Sequence, residues 1–181
     1  VDLSEFDTAP PDEARAAAGV WAAVPSWVDA LVAGRPWGDL EALAARADAL
    51  ARTWTRAEVE AALAHHPRIG ERPVGDDAGA AASRREQAAV AGAGTSVTEA
   101  LAAGNAAYER RFDRVFLIRA AGRSPEEILA HLRRRLDADP DEESAEVADQ
   151  LRQIALLRLR TSLTAAPAAA PAAPPAPAVA P

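Results

Sequence analysis

The chain has 181 residues, a formal charge of −7, no cysteine and 49% hydrophobic residues. That length suits one domain with a core rather than two, and the acidic balance gives no general attraction to nucleic acid or an anionic membrane. Disulfides, thiolate catalysis and cysteine-based zinc sites are excluded. No apolar run is long enough to span a membrane and no basic-then-apolar leader opens the chain, so a cytoplasmic protein is expected.

Helix signals dominate from Pro11 onward. Pro11, Asp12 and Glu13 open a segment to about Ala23, and Trp27, Val28, Leu31 and Val32 follow at helical spacing until Gly34. Leu40, Leu43, Ala47 and Leu50 recur at intervals of three and four, an amphipathic face. Thr55 with Glu58, Ser96 with Glu99 and Ser124 with Glu127 read as capping boxes, the last with Pro125 at the first helical position. Asp139, Pro140 and Glu142 start a final helix in the same way. Only "RVFLIR", residues 114–119, has the apolar character of an extended piece. The expectation is an all-α, single compact domain of about seven helices over residues 1–164, with few or no strands. Residues 165–181 are alanine, proline and one valine, the composition of a disordered or polyproline-like tail.

Three places break the helical pattern. In "HHPRIGERP", residues 65–73, a helix runs out at two histidines and Pro67 forbids its ordinary continuation. Neighbouring helical side chains point about 100° apart, so the pair is poorly placed to chelate one metal. A histidine here either caps the negative end of the helix dipole or belongs to a reactive pocket. In "SRREQ", residues 83–87, Ser83, Glu86 and Gln87 share one helical face, continued by Val90, while Arg84 and Arg85 turn away. That face is either solvated or holds polar groups that need partners. In "EVADQLRQIALLRLR", Arg158 ends the apolar series Val147, Leu151, Ile154, so it either snorkels to water or holds an anion inside. Leu156, Leu159 and Leu163 call for a cover from another element or another subunit. His131 has no motif around it, and Arg133, Arg134 and Arg135 read as a solvated face near a helix C-terminus.

Taken in order, "HPRIG", "SRREQ", "NAAYERRFDRVFLIRAAGRSPEEIL" and "IALLRLR" resemble the signature of the 2-oxo-4-hydroxy-4-carboxy-5-ureidoimidazoline (OHCU) decarboxylase family, over about Ser4 to Leu163. Two departures stand out: Asp113 follows Arg-Phe where many relatives carry glycine, and "VWAAVPSW" replaces a cysteine-rich stretch. The first bears on the shape of the 113–122 wall.

The resemblance implies decarboxylation of OHCU to (S)-allantoin, the last step of urate degradation, without a cofactor or metal. It implies catalytic roles for His66, Glu86 and Arg158. The substrate-binding set expected with them is Pro67, Ser83, Arg84, Arg85, Glu86, Gln87, Ile118, Arg119, Ala120, Ala121 and Gly122. The partners implied are the small-molecule substrate, a second copy of the chain in a homodimer, and the preceding 5-hydroxyisourate hydrolase. Competing readings are a helical interaction module that keeps the scaffold without chemistry and a His/carboxylate metal site, the latter weakened by the absence of His-x-x-x-His and Glu-x-x-His.

Overall fold

Helices account for nearly all of the regular structure in the computed structural model, which describes residues 2–64, 66–71 and 78–163, without the side chains of residues 89 and 91. The 165–181 tail, His65 and residues 72–77 lie outside the described residues. Ten helical segments follow in order: α1 (Leu3–Thr8), α2 (Pro11–Trp21), α3 (Pro25–Ala33), α4 (Leu40–Ala51), α5 (Arg56–Leu63), α6 (Ala78–Glu86), α7 (Ala88–Ala91), α8 (Thr95–Phe112), α9 (Pro125–Leu136) and α10 (Pro140–Ser162). Among the described residues there is no strand. The segments beyond the seven or so expected are short: α1 has six residues and α7 has four.

Local chemistry sets most of the boundaries. Thr55 with Glu58 and Ser124 with Glu127 form reciprocal capping boxes at α5 and α9, and the Asp139 carboxylate accepts from the Asp141 N–H at α10. Asp2 and Glu5 form a further box that starts α1, a helix the periodicity reading missed because six residues are too few to show a period. The Ser96–Glu99 box does not start α8. That helix begins at Thr95, two residues before a Ser96 cap would start it, with Gly94 as its N-cap and no side-chain cap bond.

Two cores share the interior. The larger joins α1 to α5 with α10, around Phe6, Trp21, Trp27 and Leu31. Trp21 and Trp27, then Trp27 and Trp54, meet edge to face with centroids 6.4 and 5.7 Å apart, and truncating such a buried indole costs about 3–5 kcal/mol. The smaller core lies between α8 and α9, around Leu101, Tyr108, Ile128 and Leu132. Leu159 and Leu163 are buried in the larger core with Leu156 packed against it, so the leucine face of α10 is covered by its own chain.

The segment 114–119 divides the two cores. It is extended without being a strand, and its side chains alternate as an extended backbone demands: Val115 and Leu117 face the larger core, Phe116 and Ile118 the smaller. The expectation of a solvated Arg133–Arg135 run fails at its last member. Arg133 and Arg134 are exposed, but Arg135 has 0% of its surface exposed. It falls at the i, i+4, i+7 stripe of α9 after Ile128 and Leu132, and a helix buries whatever that stripe carries.

Candidate active site

His66 stands three residues beyond the last residue of α5. Val59, Ala62 and Leu63 fasten α5 to the larger core, Ala64 caps it, and the His66 N–H donates to the Leu63 carbonyl at 2.9 Å. Pro67 then turns the chain, as a ring in place of an N–H requires. The turn that follows is held from two sides. Asn105 of α8, 5% exposed, donates its amide to the Ile69 carbonyl at 2.9 Å, and the Gly70 N–H donates to Gln87 Oε1 at 3.0 Å. Gly70 has φ +85°, in the left-handed region.

α6 presents the second group of side chains. It ends at Glu86, and Gln87 forms the break before α7. Ser83 is buried and Glu86 and Gln87 are half-buried, so the shared face seen in the sequence points inward. Arg158 reaches it from α10: Nε donates to Glu86 Oε1 at 2.7 Å, Nη2 to Glu86 Oε2 at 2.8 Å and to Ser83 Oγ at 3.2 Å, and Nη1 to the Val20 carbonyl at 3.2 Å. Two parallel N–H···O bonds to one carboxylate are the strong, geometry-defining form of this contact. With 9% of its side chain exposed, Arg158 holds an anion inside rather than snorkelling to water.

The third side is the extended segment. Phe116, Leu117, Ile118 and Ala120 join His66, Pro67, Ile69, Ser83, Glu86, Gln87 and Ile154 around a cavity of about 20 Å³, room for little more than one water. On the other side of the ion pair an open cleft of about 320 Å³ is lined by Val20, Trp21, Ala82, Arg85, Glu86, Ala121, Leu157, Arg158, Thr161 and Ser162. Glu86 borders both spaces.

Most of the expected set therefore converges. His66, Pro67, Ser83, Glu86, Gln87, Ile118 and Ala120 line the cavity, and Arg85, Ala121 and Arg158 line the cleft. Arg84, Arg119 and Gly122 line neither. The Arg119 side chain bonds Gln153 Oε1 at 3.2 Å and the Ala121 carbonyl at 3.1 Å. Gly122 sits at φ +82°, turning the chain toward α9. Ile69, Asn105, Trp21 and Leu157 were not singled out from the sequence. For Ile69, Trp21 and Leu157 the signal was hydrophobicity, which core residues share, whereas Asn105 opens the "NAAYERRF" stretch of the family resemblance without having been given a role. Asp113 has φ +54°, the left-handed conformation that glycine adopts freely and aspartate tolerates better than most residues. The turn into the wall is thus kept despite the departure from glycine.

Among the described residues no three His, Asp or Glu side chains converge as a metal centre, and no helix is long and apolar enough to cross a membrane. An imidazole beside a carboxylate, an amide and a hydroxyl, backed by a guanidinium, can move protons and hold a polar, charge-developing ring.

The sequence matches the OHCU decarboxylase family over residues 7–160, and the chain belongs to that family. It is a carboxy-lyase of urate catabolism. Its fold is similar to a crystal structure of OHCU decarboxylase in the presence of (S)-allantoin, with 22% identity, TM-score 0.68, and coverage of 79% of this chain and 94% of that one. It is also similar to a crystal structure of (S)-allantoin synthase, with 18% identity, TM-score 0.66, and coverage of 90% of this chain and 54% of that one. No curated protein sequence matches the chain.

Proposed function

We propose that the chain converts OHCU to (S)-allantoin without a cofactor, with His66, Glu86 and Arg158 as its catalytic groups. The observation that carries this reading is the Arg158 fork on Glu86 and Ser83, next to the cavity that His66 lines. The substrate carries a carboxylate and a hydroxyl on one ring carbon, next to a carbon drawn as an imine. When the bond to the carboxylate breaks, its electron pair moves into the ring toward the imine nitrogen and carbon dioxide leaves. The imine nitrogen takes up a proton with the pair, the hydroxyl loses its proton as the carbonyl forms, and the neighbouring carbon gains one on a single face, so one proton is taken up overall. The conjugated ring is its own electron sink, so the protein's tasks are orientation, proton transfer and exclusion of water.

His66 takes the hydroxyl proton and delivers one to carbon. Glu86 polarises His66 or a ring N–H, and Arg158 meets ring or ureido oxygens as negative charge develops. Ser83, Gln87 and the main chain at 118–122 read the ureide edges, and Phe116, Leu117 and Ile118 keep water from the departing carboxylate. The cavity beside His66 is smaller than the substrate, and Glu86 borders it and the cleft.

The test is circular dichroism of a reaction in which urate is converted in situ to the substrate by the two upstream enzymes. Uncatalysed decay gives racemic allantoin, so a fast optical signal that depends on this protein supports the reading. A trace no different from the protein-free control overturns it. A homodimer, a cytoplasmic location and coupling to 5-hydroxyisourate hydrolase go with this reading on the strength of the family resemblance. Sedimentation of the chain alone and with that hydrolase tests the first and the last.

A further inference from the structure

The wall at 114–119 poses a physical problem. An extended segment between two cores needs partners for its backbone N–H and C=O groups, and here no neighbouring strand supplies them. Side chains do. Arg135 of α9 donates from Nη1 to the Leu117 carbonyl at 2.8 Å. Gln150 of α10, itself buried, accepts the Arg119 N–H at 2.9 Å.

Arg135 is fixed in its turn. Its Nε donates to both Glu143 carboxylate oxygens at 3.0 Å, and its guanidinium lies over the Phe116 ring, 4.7 Å from the centroid. The Tyr108 hydroxyl of α8 donates to the same carboxylate. Both members of the ion pair are fully buried, with 0% of either side chain exposed. A buried ion pair of this kind adds little net stability over apolar residues of similar volume, so stability alone is a poor reason for its presence. Its placement gives a better one. Glu143, Gln150, Ile154 and Arg158 are spaced by seven, four and four residues along one face of α10. One helix therefore carries the carboxylate that locks Arg135, the second clamp Gln150, a lining residue of the cavity, and the arginine that grips Glu86.

We propose that Arg135, locked by Glu143, and Gln150 are positioning residues that set the wall at 116–119 against His66. The effect on turnover rests on the decarboxylase reading above; the clamp itself does not.

Two variants test it. Arg135→Met combined with Glu143→Met removes the ion pair at similar volume, and Gln150→Met removes the acceptor for Arg119 alone. In each, the expected result is an unchanged helical circular dichroism spectrum, faster hydrogen exchange of the Arg119 amide, shifted His66 ring resonances, and kcat lowered about ten- to a hundredfold, the scale of a small misplacement of reacting groups. Gln150→Glu, which keeps an acceptor oxygen, should restore most of the turnover lost in Gln150→Met. Folded variants with wild-type kcat overturn the proposal. If the double variant does not fold, Gln150→Met and its Glu counterpart decide the question by the same readings. If the wild-type protein shows no optical signal, the decarboxylase reading fails instead; the clamp is then upheld by changed Arg119 exchange and His66 resonances in the variants and overturned if neither moves.

Discussion

Arg158 and Glu86 are 72 residues apart in sequence, yet Nε and Nη2 of the one meet both carboxylate oxygens of the other at 2.7 and 2.8 Å. The pair joins the last helix to the helix that carries the Ser-x-x-Glu-Gln motif, and Ser83 Oγ accepts a further bond from the same guanidinium at 3.2 Å. Arg158 is mostly buried, and removing only one partner leaves an uncompensated charge. Arg158→Met should lower unfolding stability by about 3–5 kcal/mol and reduce kcat/KM at least a hundredfold. Adding Glu86→Gln should recover part of the stability and none of the turnover, since the neutral pair lacks the charges the reaction uses. Urea denaturation beside the optical assay checks both.

His66 lies outside the helices and is half-buried. His66→Ala should therefore cost about 1 kcal/mol of stability or less, while turnover falls roughly 10²- to 10⁴-fold, the range of a lost general acid–base. Near-normal turnover in a folded variant would remove His66 from the catalytic set.

At Asp113 the left-handed backbone, φ +54°, should separate two small substitutions. Asp113→Ala should destabilise by about 1–2 kcal/mol, because a β-carbon with no polar compensation meets the strain directly. Asp113→Gly should be neutral or slightly stabilising. Thermal melts distinguish them, and equal melting temperatures would mean that the turn is not strained.

His131 supplies a pH test. Its Nε2 accepts from Arg123 Nη1 at 2.9 Å, which fits the neutral ring, and its Nδ1 is buried with no partner. Burial, then the charges of Arg123, Arg134 and Arg135, hold its pKa below the usual histidine value, with Glu146 opposing. A depressed folded pKa means that the unfolded chain binds the proton more readily. The associated stability is full above the ordinary histidine pKa of about 6.5 and is lost as pH falls through the lower folded value. Melting temperature should thus decline on the acid side of neutrality, before the salt-bridged carboxylates Asp48 and Asp149, whose pKa values are also lowered, begin to titrate. His131→Gln, which keeps an acceptor for Arg123, should flatten that first decline. An identical slope in the variant would exonerate His131.

Much of this architecture is written locally. Caps, prolines and three-to-four spacing act within a few residues, so α2 to α5, α9 and α10 could be placed from sequence with boundaries close to those observed. The shared face of Ser83, Glu86 and Gln87 and the position of Arg158 on an apolar stripe were also legible, because helical geometry alone groups them. What the sequence could not decide is which of two polar readings applied at each place, for that depends on what packs opposite. Tertiary structure resolves it by bringing Arg158 of α10 onto Glu86 of α6. It likewise buries Arg135, which looked like part of a solvated basic run, because an extended segment with no strand partner needs a donor for the Leu117 carbonyl. Local periodicity reports which residues share a face; only the assembled fold determines whether that face meets water, another charge, or an unpaired peptide group.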